Sequence, residues 1–154
     1  MIPEMKILVN DFIDVAHLAG ANLVEDNLAI QILPAPHRPP SSLPDGKMAV
    51  YIFFWDEKCL KVGKVGQNSN ARYTSQHYNP RSSNSNLAKS ILLGKDKLGL
   101  PSVSESNIGA WIKSNTDRIN ILLDSRHGIP VLTLLESFLQ CRLRPYFEGF
   151  ESQH

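Results

Sequence analysis

Five of the chain's ten prolines, Pro34, Pro36, Pro39, Pro40 and Pro44, crowd into one eleven-residue stretch. Proline fixes φ and has no backbone N–H to donate, so this tract can be neither a helix nor a central strand. It reads as an extended connector. A chain of 154 residues is too short for two independent cores. The tract therefore divides an N-terminal appendage, residues 1–47, from one main domain, residues 48–154.

The appendage carries Val9, Phe12, Ile13, Ala16 and Ala19 at spacings of three and four before Gly20, which predicts an amphipathic helix over 5–19. Leu28, Ile30 and Ile32 alternate like a short strand. In the main domain Ala49–Trp55 is an unbroken β-rich run, Asp56-Glu57-Lys58 supplies a turn, and Cys59–Val65 is a second β-like run. The two runs predict an antiparallel hairpin. A short helix through Arg72 and His77 follows, ended by Asn79-Pro80. Ser83 or Ser85 then caps a helix through Leu87, Ile91 and Leu92 that stops at Gly94. A helix over 107–115 turns Ile108, Trp111 and Ile112 inward, Arg118–Leu123 is the main domain's third strand, and a last helix starts near Pro130 and runs to about Leu143. The expected fold is α+β: a three-stranded antiparallel sheet flanked by helices, with a short N-terminal helical appendage.

Apolar residues make up 42% of the chain and charged residues 20%, which excludes a wholly disordered or collagen-like protein. The longest apolar run, Ala49–Trp55, is far short of the roughly 20 residues that span a bilayer. Glu4, Asp11 and Asp14 against Lys6 are the wrong start for a signal peptide. Two cysteines without a CxxC or Cys/His cluster suit reduced thiols, and the expected location is the cytoplasm. Net charge is only +1, yet residues 58–97 hold eight cations against Asp96 alone. Such a window suits a phosphate backbone or, more plainly, a solvated basic face.

Four short segments, in order, resemble the GIY-YIG nuclease superfamily. Ala49-Val50-Tyr51 stands where the family ends its first strand in Gly-Ile-Tyr, and Lys61-Val62-Gly63 stands where Tyr-Ile-Gly follows on the partner strand. Arg72 and His77 match the arginine and histidine of the next helix. Glu136 matches the glutamate of the last helix, followed at the family spacing by Pro145 and, in place of an asparagine, by Glu148. The resemblance covers about residues 48–149. Lysine replaces the motif tyrosine, as in some restriction-enzyme branches of the family, and Arg72 and His77 are five residues apart where four is usual. Lys64-Val65-Gly66 offers a second alignment of the same motif.

Membership implies a metal-dependent endonuclease that hydrolyses DNA phosphodiester bonds. Such a site needs a base for water, a cation on the scissile phosphate and a stabiliser for the leaving oxygen. Tyr51 suits the base, with Lys61 on the partner strand to favour its ionised form. Arg72 offers a two-donor fork to a phosphate oxygen, and His77 a second base or proton shuttle. Glu136 is the candidate ligand for Mg²⁺ or Mn²⁺. Lys64, Gln76, Arg81 and Lys89 are candidate DNA contacts. Each has an ordinary alternative: a packed strand aromatic for Tyr51, an edge-strand charge for Lys61, exposed helix residues for Arg72 and Glu136. A palindrome-cutting member would favour a two-fold homodimer. Two rival expectations are a catalytically degenerate GIY-YIG-fold module that binds nucleic acid, and an interaction domain whose proline tract docks a protein.

Overall fold

The computed structural model describes residues 2–147. Five helices, α1 (Ile2–Leu18), α2 (Asn70–Thr74), α3 (Leu87–Leu98), α4 (Ile108–Asn115) and α5 (Gly128–Leu143), surround strands β1 (Leu28–Leu33), β2 (Lys47–Trp55), β3 (Lys58–Val65) and β4 (Asp117–Asp124). The sheet is antiparallel and ordered β1-β4-β2-β3. It has four strands, not the expected three. The fourth is β1, which pairs along most of β4, from Leu28 against Leu123 to Leu33 against Arg118. Its ladder satisfies backbone groups that would otherwise leave β4 as an open edge.

Alternation along β2 assigns the two faces. Met48, Val50 and Ile52 join a core built with Phe12 and Ala16 of α1 and Leu132, Leu135 and Leu139 of α5. Ala49, Tyr51 and Phe53 face the opposite way, into a core closed by Tyr73 of α2, Leu87 and Ile91 of α3, and Ile108 and Ile112 of α4. Trp111 is only half-buried and packs edge-on against Trp55, with ring centroids 5.3 Å apart. The β2–β3 connection is a two-residue turn in which Asp56 and Glu57 both have positive φ, 50° and 62°. That turn type matches the right-handed twist of the strands it joins.

Two helix boundaries differ from expectation. The segment with Arg72 and His77 is broken at Ser75 into α2 and a 3-10 turn over Gln76–Tyr78. Both His77 and Tyr78 of that turn are buried in the core. α3 is capped by Asn86, whose side chain accepts from the Lys89 N–H, rather than by Ser83 or Ser85. It passes through Gly94 and stops at Gly99, whose φ of 73° closes the helix as glycine allows. Gly94 is tolerated because the Phe147 ring lies where a side chain would stand.

Phe147 belongs to a segment that follows α5 along the outer edge of β3. Its N–H and that of Tyr146 donate to the carbonyls of Leu60 and Cys59. Both cysteines are free thiols: Cys141 is exposed, and burial pushes Cys59 up to about 12. Among the described residues no helix is long and apolar enough to cross a membrane.

Candidate active site

Tyr51 sits at the centre of the sheet, opposite Gly63 of β3 and Asn120 of β4. It is fully buried, and its ring lies across Gly63 so closely that a Cβ there would collide with the phenol hydroxyl. Glycine is required at position 63 for this approach, not for its φ. Arg72 Nη2 donates to Tyr51 Oη at 3.0 Å, and Nη1 donates to the Ser85 carbonyl at 2.9 Å. The His77 ring packs 4.2 Å from the Tyr51 ring, tilted by 52°.

Lys61 does not face Tyr51 directly, as expected from the sequence. The hairpin register sets Gly63 there and pairs Lys61 with Phe53. Pleat parity still turns Lys61 to the Tyr51 side. Its side chain is fully buried, and Nζ donates to Ser85 Oγ at 3.4 Å. Ser85 thus joins Arg72 to Lys61, so residues between Tyr51 and Ser85 converge on one face.

Lys64 lies on the other face, across from Val50, where its Nζ donates to Glu136 Oε1 at 3.1 Å. The Lys61-Val62-Gly63 alignment therefore shares a face with Tyr51, whereas Lys64-Val65-Gly66 would turn its cation toward α5. Glu136 is held on that side because Leu132, Leu135 and Leu139 anchor α5 in the core. The carboxylate and the Tyr51 group flank the same strand, β3, from its two faces.

His77 is neutral in the fold. Burial foremost, then the positive charges of Arg72, Lys61 and Arg118, holds its pKa well below the usual value. The Leu87 N–H donates to Nδ1 at 3.2 Å, so the neutral ring carries its proton on Nε2. That buried Nε2 finds no hydrogen-bond partner among the described residues. The ring is poised to donate a hydrogen bond at Nε2 rather than to accept one, which does not suit a base.

His37 from the proline tract is also buried. Its Nδ1 meets the Thr116 carbonyl and its Nε2 the Tyr78 hydroxyl, both at 2.8 Å, and burial lowers its pKa. The unfolded chain protonates both imidazoles near pH 6.5, whereas the folded state resists until lower pH. Folding stability is therefore expected to be full above about pH 6.5 and to fall below it, by up to about 1.4 kcal/mol per pH unit for each ring. Urea midpoints at pH 7.5 and pH 5 check this, and His77→Gln should flatten the slope. An equal midpoint at both pH values would contradict it.

The other candidate DNA contacts are dispersed. Arg81 bonds to Glu105 at 2.7 Å with both side chains exposed, Lys89 is exposed on α3, and Gln76 is half-buried at the start of the 3-10 turn. Glu148 lies outside the described residues. Among the described residues no three His, Cys, Asp or Glu side chains gather to hold a metal. A single carboxylate with waters and substrate phosphate oxygens nevertheless suits Mg²⁺. Glu136 fits that donor set: it is half-buried, and Lys64 takes only one of its two oxygens.

The sequence reading missed Arg118, Asn120 and Gln31. Arg118 Nε donates to Asn120 Oδ1 at 2.9 Å, and Gln31 Oε1 accepts from Asn120 Nδ2 at 2.8 Å and from the Tyr73 hydroxyl at 2.9 Å. Their signal was present in β4, where Arg118 and Asn120 alternate with Ile119 and Ile121. Comparison with known protein families, with curated proteins and with solved structures finds no match.

Proposed function

We propose that this protein is a metal-dependent endonuclease of the GIY-YIG type that hydrolyses DNA phosphodiester bonds. The observation that carries the reading is the convergence of Tyr51, Arg72, His77 and Lys61 on one face of β3, with Glu136 and Lys64 on its other face. Two cations, Arg72 and Lys61, on the face of the phenol form an environment suited to an anion.

Tyr51 and Lys61 lie fully buried behind half-buried Arg72 and Ser85. A phosphate would draw the Arg72 fork outward onto a non-bridging oxygen, which releases Tyr51 Oη. Ionised Tyr51 then takes a proton from water, the water oxygen bonds to phosphorus, and the bond from phosphorus to the leaving oxygen breaks. The leaving oxygen takes its proton from water, while the Nε2–H of neutral His77 can offer it a hydrogen bond. Glu136, across β3 from this group, would hold the divalent ion with waters, and the ion would supply charge neutralisation. The basic window of residues 58–97 would follow the backbone beyond the cut.

Incubation with supercoiled, linear and single-stranded DNA in Mg²⁺, in Mn²⁺ and in chelator tests the reading. Cutting in metal and none in chelator is the expected result, and the form attacked shows the strand preference. The degenerate binding module is favoured by one observation, the closure of Tyr51 and Lys61 to solvent. Salt-sensitive DNA binding with no cleavage in either metal would select it.

A further inference from the structure

Arg118 is the largest of the fully buried side chains. Its guanidinium is held by three neutral acceptors: Asn120 Oδ1 at 2.9 Å, the Tyr78 hydroxyl at 3.2 Å and the Tyr73 carbonyl at 2.6 Å. No carboxylate among the described residues pairs with it. A buried charge without a counter-charge is costly, and an apolar residue of similar volume at such a position is often no less stable. The charge faces three rings, with its guanidinium carbon 6.0 Å from the centroid of Tyr51, 5.2 Å from Phe53 and 5.1 Å from Tyr73. The strand register enforces this: Arg118 stands opposite Phe53, Asn120 opposite Tyr51, and Asn120 anchors the guanidinium from two residues along.

We propose that Arg118 is a positioning residue for Tyr51, a fixed buried positive charge that favours the ionised phenol and holds its ring in place. The inference rests on the reading of Tyr51 as base for its catalytic consequence, but not for its physical effect. Arg72 cannot fill the same role throughout a reaction, because its bond to Tyr51 must open for a phosphate. Arg118 is bound only to protein groups and stays. Among the described residues, Arg72 from α2 and His77 from the 3-10 turn also touch Tyr51, and Lys61 of β3 lies on the same face. His77 is neutral, so Arg118 is one of three positive charges on this face, and it is fully buried where Arg72 is half-buried. At an effective dielectric near 20 a unit charge on this side of the ring moves a phenol by about one pH unit, in opposition to the burial that raises it.

The chain has four tyrosines, so tyrosine labelled with ¹³C at Cζ gives four resonances, and Tyr51→Phe assigns one. Burial raises the phenols of Tyr73 and Tyr78 against the pull of the same guanidinium, so the test is the change in the Tyr51 midpoint between wild type and variant. Arg118→Met should raise that midpoint by about one unit or more, and Arg118→Lys, which keeps the charge but not the fork, should leave it near wild type despite a lower Tm. The acidic limb of the cleavage rate should move up in Arg118→Met by the same amount, a change that loss of packing alone would not produce. Where Arg118→Met does not fold, Arg118→Gln keeps an amide donor for the Tyr73 carbonyl and replaces it. An unmoved Tyr51 midpoint in a folded neutral variant overturns the proposal. A midpoint that moves as expected in a protein that never cuts DNA would sink the nuclease reading and leave the role of Arg118 intact.

Discussion

Glu136→Ala is expected to lower Mg²⁺- or Mn²⁺-dependent DNA cleavage by about 10³-fold, since charge neutralisation by a bound metal supplies several kcal/mol and each decade of rate is about 1.4 kcal/mol. The fold should survive. Glu136 makes one ion pair, to Lys64, and both side chains reach solvent, at 17% and 37% exposure. Such a pair contributes at most about 1 kcal/mol, so Tm should move little and the loss of rate will report chemistry. Binding should move in the opposite direction. Removal of the carboxylate frees the Lys64 ammonium and deletes a negative charge beside the DNA path, so affinity in chelator is expected to hold or rise at low salt. Cleavage by Glu136→Ala at the wild-type rate in the same metal would remove Glu136 from the site.

The elements most legible in the sequence were those specified by near neighbours. The hairpin of β2 and β3 was readable because two β-rich runs flank a turn whose residues fold locally, and α1 because its apolar residues keep helical spacing before Gly20. β1 was readable as a strand but not as part of the sheet. Nothing in Leu28–Leu33 says that its partner begins at Arg118, since that pairing is enforced only once the core assembles. Gln31, polar between Ile30 and Ile32, was the trace of it, because it bonds to Asn120 and Tyr73 across the sheet.

Caps failed for the same reason. Ser83, Ser85 and Asn86 are all good caps by type; the choice of Asn86 is fixed where the Leu87 N–H meets buried His77, a contact between distant segments. Candidate site residues were legible as a pattern and not as an arrangement. Parity along β3 separates Lys61 from Lys64, but only the register shows that Gly63, not Lys61, stands opposite Tyr51. The burial of Lys61 was invisible too, since a lysine on an edge strand ordinarily points to water.

Tyr51→Phe is expected to reduce cleavage by about 10²- to 10⁴-fold, the span that one positioned acid or base contributes, with DNA binding unchanged. The substitution removes one oxygen from a site that otherwise keeps its shape. The ring still fills the space over Gly63 and still packs against His77. Arg72 loses one acceptor but keeps the Ser85 carbonyl, and being half-buried it can turn its freed donor to water. The net cost of the lost hydrogen bond is about 1 kcal/mol. Rate and stability are thus expected to separate, by orders of magnitude in one and a small shift in Tm in the other. The acidic limb of the rate profile should also vanish in Tyr51→Phe, because the group whose ionisation it reports is gone. If Tyr51→Phe cuts DNA as well as the wild type, the base lies elsewhere, and the phenol is only the packed aromatic that its burial already makes it.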